Sequence, residues 1–303
     1  MSENRPIETV KANGLDIAYE VYGERHNPII ALVHGLGSPM AGWPMGMVNQ
    51  LVDKGFCVLR VDNRDSGKSQ ILDDTKSPNF LWQVIKSKIG IQVTSAYDLT
   101  DMVDDLIGVL DALEMDRIHL VGASMGGMIC QLTAIHHSSR VKSLTSIMSH
   151  AGSKQLPPRK AVAAHLFKKP VIKNVEEAVA YNVKTWELLS GTQHVMKSAE
   201  RKSYVLGLMD RGISATGTSR QLLAIMAAKD RTEALSTLTM PCQVIHGKDD
   251  PLIHVQGGID TAKAIPNCEL HLIDGMGHDF PVSVHEAVCT MITDQVKQTE
   301  NHL

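Results

Sequence analysis

Short apolar runs recur along the chain at 28–34 (PIIALVH), 57–61 (CVLRV), 118–122 (IHLVG), 141–148 (VKSLTSIM), 241–246 (PCQVIH) and 269–273 (ELHLI). Runs of this length with little polar alternation suit strands covered on both faces, where neither side meets water. The stretches between them repeat apolar residues every three or four positions. In 97–114, Leu99, Met102, Val103, Leu106, Ile107, Leu110 and Leu113 share one side and the acidic residues lie outside, which predicts an amphipathic helix. Helices are also predicted at 42–54, 257–264 and 282–296, while 79–94 is ambiguous, partly helical and a candidate for the rim of the site. Residues 9–22 differ: Asn13-Gly14 is a hairpin turn signal, and Leu15, Ile17 and Tyr19 alternate after it. Strands alternating with helices through short links predict an α/β fold, a mainly parallel sheet with helices on both faces. Its ligand sites should lie at the carboxyl ends of the strands.

That rhythm stops between 153 and 235. No buried strand is predicted there, only helices near 159–167, 175–189, 196–209 and 219–228. The segment carries 14 Lys and Arg against 7 Asp and Glu, a balance of +7 that leaves −10 for the rest of a chain of net −3. A helical block with its own charge balance reads as an inserted cap. It divides the chain into a first core part (1–152), the cap (153–235) and a second core part (236–303). Apolar residues such as Leu166, Phe167, Trp186, Leu189, Leu222, Leu223 and Met226 are expected mainly to pack the cap onto the core, with some of their faces covering Ser124 and forming an acyl pocket. The cap's lysines and arginines are expected on a solvated outer face, with the charge contrast assisting docking.

Composition narrows the function classes. At 303 residues, 43% hydrophobic and 21% charged, the chain can bury a sizeable core, and the lack of a basic excess argues against nucleic acid as a partner. The first residues do not resemble a signal peptide, and no apolar stretch approaches membrane-spanning length, so a cytoplasmic protein without a membrane partner is expected. Cys57, Cys130, Cys242, Cys268 and Cys289 are odd in number and scattered, as reduced thiols would be.

The chemistry concentrates at 118–131, where an apolar strand runs through Gly122-Ala123-Ser124-Met125-Gly126 into a helix. G-x-S-x-G in a strand-turn-helix setting strains the serine backbone and exposes its hydroxyl. Glycines are needed at 122 and 126 because a Cβ would strike the neighbouring strand and helix. The free N–H of Met125 at the helix start could face the oxyanion of an acyl-transfer intermediate, and the N–H of Leu36 in Gly35-Leu36-Gly37 could be a second donor. A serine nucleophile needs a base and the base needs an acid. His278 follows the last strand in a glycine-flanked loop and is the strongest base among 14 histidines; His119, His246 and His271 lie in strands and read as structural. Asp249 and Asp250 follow the preceding strand and compete for the acid, since the other strand end, 149–152, offers no carboxylate. Arg64 and the acidic residues around it read as a charge-pinned loop at 62–69. No metal or cofactor is called for: His136 and His137 are adjacent and cannot face one ion.

Taken together, 34–37 (HGLG), 63–69 (NRDSGKS), 122–128 (GASMGGM), 143–149 (SLTSIMS), 247–251 (GKDDP) and 275–278 (GMGH) resemble the α/β-hydrolases. Within them they are similar to the bacterial carboxylesterase-like proteins that include the aclacinomycin methylesterases. The resemblance implies an α/β-hydrolase fold and a Ser124–Asp250–His278 triad, with Asp250 favoured because the family's acid precedes a residue like Pro251. It also implies an oxyanion hole from the N–H groups of Leu36 and Met125. In the cap only Arg220-Gln221 and Asp230-Arg231 look family-like, so substrate does not carry over. The expected activity is hydrolysis of small to medium carboxylic esters. A lactonase, enol-lactonase or methylesterase would use the same machinery, and a poorly turning-over ligand receptor is the reading from another class. The natural substrate and the oligomeric state are left open.

Overall fold

The computed structural model describes residues 7–76, 78–152, 156–167 and 172–302. Glu8–Ala12 (β1) and Leu15–Tyr22 (β2) form the expected hairpin, its turn residues Asn13 and Gly14 both at positive φ, 49° and 79°, as a tight right-twisting turn requires. The remaining strands are Ile29–Val33 (β3), Cys57–Val61 (β4), Ile118–Ala123 (β5), Val141–Ile147 (β6), Cys242–Gly247 (β7) and Glu269–Ile273 (β8). The sheet order is β1-β2-β4-β3-β5-β6-β7-β8, antiparallel from β1 to β4 and parallel from β4 to β8. After β3 the chain moves outward to β4, then returns to the other side of β3 as β5. Loops leaving β3 and β5 therefore part, opening the crevice in which α/β sheets place ligands.

The uninterrupted apolar runs have a simple cause. Ala31, Val33, Leu59, Ile118 and Leu120 pack on one face of the sheet, while Ile30, Leu32, Val58, Val121 and Ala123 pack on the other. The first face is covered by Leu99–Ala112 (α3), Met125–His136 (α4) and Val255–Ala264 (α10), the second by Met45–Asp53 (α1) and Val282–Glu300 (α11). Phe80–Lys88 (α2) lies in the ambiguous 79–94 stretch. All five cysteines are free, and only Cys268 is more than slightly exposed.

Between β6 and β7 the described residues form helices and one isolated bridge, His194 to Met276: the helices are Lys160–Phe167 (α5), Val175–Leu189 (α6), Ser198–Arg211 (α7), Ala215–Ala227 (α8) and Thr232–Leu235 (α9). Residues 153–155 and 168–171 and the side chain of Phe167 lie outside what is described. Helix α8 starts four residues before the expected 219, because the Ser214 hydroxyl caps it by accepting the N–H of Gly217 at 2.9 Å. The short α9 was not expected, and α11 continues past 296 to Glu300, whose carboxylate holds Lys142 and His119.

The expectation of a solvated basic face holds for Arg159, which is exposed, and fails for the other four arginines of this segment. Arg201, Arg211, Arg220 and Arg231 are buried. Arg220 grips Asp65 through two parallel bonds of 2.8 and 2.6 Å, and Arg211 bridges Asp62 (3.0 Å) and Glu20 (2.5 Å). The loop after β4 is charge-pinned as expected, but by remote partners. Arg64 is held by Asp105 of α3, while Asp62 and Asp65 are held by the insert. Both aspartates are fully buried, so each needs its arginine to offset desolvation.

Candidate active site

Ser124 sits between β5 and α4 at φ 56°, ψ −121°, a region that non-glycine residues rarely enter. The strain is over-determined by its neighbours. The Ser124 N–H donates to Ile147 O at 2.9 Å, and its carbonyl accepts from Gly127 N, Met128 N and the Ser149 hydroxyl. A Cβ at Gly122 would strike Gly126 O and Cys130 Sγ; one at Gly126 would strike the carbonyls of Val33 and His34. This close approach lets α4 start directly beneath the loop that leaves β3. Neither Leu36 nor Met125 donates its N–H to another group among the described residues.

His278 Nε2 lies 3.0 Å from Ser124 Oγ, and its Nδ1 lies 2.7 Å from Asp250 Oδ2. The other Asp250 oxygen accepts from Leu252 N and Ile253 N, both at 2.8 Å, and the His246 ring stands 3.4 Å from Oδ2. Burial alone would raise the Asp250 carboxyl, but the two histidines and their hydrogen bonds outweigh it and hold the group well below the usual carboxylate range. An ionised Asp250 accepts from Nδ1–H, which leaves Nε2 of a neutral His278 free to accept the serine proton. Asp249, the other candidate for the acid, points elsewhere: its carboxylate accepts from the Thr192 hydroxyl.

A profile of the alpha/beta hydrolase fold family matches residues 28–282. The chain belongs to that family. It is 23% identical over 307 aligned positions to the rhodomycin D methylesterase DauP of a Streptomyces species, covering 95% of this chain and 97% of that protein. It is 26% identical to a 2-hydroxy-6-oxononadienedioate/2-hydroxy-6-oxononatrienedioate hydrolase of Cupriavidus pinatubonensis, covering 82% of this chain and 80% of that one. Among solved structures, the meta-cleavage product hydrolase of Pseudomonas fluorescens IP01 superposes with a TM-score of 0.74 at 17% identity, over 96% of this chain and 97% of that one.

The contacts of several residues around this site escaped the sequence, although His34 and Gln221 lie in stretches that look family-like. Gln221 on α8 is fully buried, accepts the Gly37 N–H at 2.7 Å and donates to Arg64 O at 2.7 Å, so the insert braces the loop that carries Leu36. A buried glutamine in mid-helix was the available signal, but nothing in the sequence named its target. His34 braces the same loop: burial, with the His278 charge adding to it, brings its ring down to about 3, and the neutral Nδ1 accepts the Gly35 N–H. The His278 N–H donates to Leu189 O of α6, and a Cβ on Gly277 would strike the 189–191 backbone, so the glycines beside His278 admit the insert. Next to it, Asp279 is buried and raised to about 6, because desolvation outweighs the Ser190 bond and the nearby His278 and Arg201 charges. The single Ser190 hydroxyl proton faces two acceptors, Trp186 O at 3.0 Å and Asp279 Oδ2 at 2.7 Å. A protonated Asp279 resolves that conflict by donating to Ser190.

Proposed function

We propose that the protein hydrolyses carboxylic esters of small to medium size through an acyl-enzyme on Ser124. The observation carrying this is the continuous chain Ser124 Oγ, His278, Asp250, at 3.0 and 2.7 Å, beside the N–H groups of Leu36 and Met125, which donate to nothing among the described residues. In this reading Ser124 Oγ attacks the ester carbonyl while His278 Nε2 takes its proton. The tetrahedral oxyanion is met by the N–H groups of Leu36 and Met125, and Asp250 stabilises the imidazolium. His278 returns the proton to the leaving alkoxide, which departs as alcohol. A water then repeats the sequence on the acyl-enzyme and releases the acid. The strained turn costs no reorganisation at the moment of reaction, because the backbone is already locked.

The helical segment 153–235 acts in this proposal as a cap over the site. It holds three of the loops that surround the site: the Leu36 loop through Gln221, the loop after β4 through Arg211 and Arg220, and the His278 loop through Leu189 and Ser190. Likeness to rhodomycin D methylesterases favours methyl esters within the proposed class. The experiment is rapid-mixing kinetics with p-nitrophenyl acetate, followed by a panel of methyl esters and lactones. The proposal expects an acylation burst followed by many turnovers. A stall after one equivalent of nitrophenol would leave the ligand-receptor reading in its place.

A further inference from the structure

Helix α2 turns its polarity inside out. Its one fully buried side chain is polar: Gln83 is 4% exposed and accepts the Thr94 N–H at 2.8 Å. Phe80 and Val84 are half-buried, but four large apolar residues face water, Leu81 at 69%, Trp82 at 54%, Ile85 at 47% and Ile89 at 62% exposure, and Ile91 beyond the helix is exposed as well. At about 100° per residue, positions 81, 85, 89 and 82 fall within one arc, with Lys88 at one edge and Lys86 at the other. Residues 75–97 contain Lys76, Lys86 and Lys88 and no acidic residue, although the whole chain has net charge −3. Single exposed apolar residues need no account, but four gathered on one helical arc do.

We propose that α2 and the segment through Ile91 form a docking surface for an anionic lipid bilayer, lying in the interface without crossing it. Leucine and isoleucine side chains enter the acyl boundary, a tryptophan ring suits the headgroup level, and lysines flanking the arc extend their ammonium groups to lipid phosphates. The charge pattern selects this partner. In a symmetric contact between two copies the same lysine-edged patch would face itself, placing like charges together with no acidic residue in 75–97 to offset them. No described helix is long and apolar enough to cross a membrane. The expectation of no membrane partner rested on that length, which an interfacial helix does not need. Because α2 packs on α8, the lipid face lies one helix away from the Leu36 loop.

The test is flotation of the full chain with vesicles of phosphatidylcholine containing about one-third phosphatidylglycerol, against phosphatidylcholine alone. The wild type is expected to float with the anionic vesicles and to be released by salt. Leu81→Ser/Ile85→Ser/Ile89→Ser is expected to lower the bound fraction at least about tenfold. Lys86→Glu/Lys88→Glu, which keeps the apolar arc, is expected to lose about fivefold or more per site. Turnover of p-nitrophenyl acetate in free solution, or a preserved melting transition, shows that both variants are folded, so failure here is distinct from failure of the ester-hydrolase reading. The proposal is overturned if the wild type does not float, if neutral vesicles bind it equally, or if the serine variant floats like wild type. It is also overturned if light scattering shows a wild-type dimer that the serine variant dissolves.

Discussion

The two sides of the site are held by different physics. On the core side Ser124 is fixed by backbone geometry: a strained turn, glycines where no Cβ fits, and strands β3, β5 and β6 packed around it. On the insert side position depends on buried polar side chains, with Arg220 and Arg211 on fully buried aspartates and Gln221 between two loops. Backbone restraint is local and costs little once the sheet exists. Buried ion pairs must repay a large desolvation penalty, and removing one partner leaves the other uncompensated. The core should therefore tolerate loss of its functional side chains, while the insert should not tolerate loss of its arginines.

The largest expected effect is Ser124→Ala, which should lower ester turnover by on the order of 10⁴ or more and leave the melting temperature within a degree or two. Retention of more than a few per cent of turnover would remove Ser124 from the proposal. Asp250→Asn should follow at about 10⁴, since an amide supports the wrong His278 tautomer. Asp249→Asn, which loses only a Thr192 contact, should stay near wild type; equal losses in the two variants would contradict the geometry at His278.

On the insert side, Arg220→Ala should destabilise the fold by about 3–5 kcal/mol, measured by urea unfolding, because Asp65 is left buried with the Tyr97 hydroxyl and the Leu72 N–H. Replacing both partners with apolar residues should recover much of that loss. If Arg220→Ala costs no stability, the contrast between the two sides collapses. Gln221→Leu should be milder, about ten- to a hundredfold in kcat with KM little changed, because it loosens the loop bearing the proposed Leu36 donor without touching substrate. A change in KM alone would assign Gln221 to binding.

The smallest effect concerns pH and separates two buried acids. Asp65 is lowered, because its bonds from Arg220, Leu72 N and Tyr97 outweigh burial, so its contribution is present above the unfolded value near about 4 and is lost as pH falls. Asp279 is raised to about 6, so the folded chain holds a proton that the unfolded chain has released. Stability then declines as pH rises from about 4 to about 6. Asp279→Asn should raise the melting temperature relative to wild type at neutral pH and much less at about pH 4. An identical shift at both values would show that Asp279 does not titrate in this range.

Strand and helix order were legible because hydrophobic period reports burial directly: each predicted strand of the sheet is present, and β4 and β8 match their expected limits. The sequence also marked the glycines around Ser124, since a turn that excludes Cβ atoms is encoded locally. It offered Ser124, His278 and the pair Asp249/Asp250 as candidates, because each follows a strand and strand ends meet at one edge of a parallel sheet. Which partners the buried charges take was decided by tertiary structure alone. Asp65 finds Arg220 at a separation of 155 residues, and Gly37 finds Gln221 at 184. Charge is visible in a sequence, but desolvation is not, and desolvation converts a surface arginine into an anchor. The same holds for α2: the sequence left 79–94 ambiguous, and only the packed structure determines that Leu81, Trp82, Ile85 and Ile89 look outward.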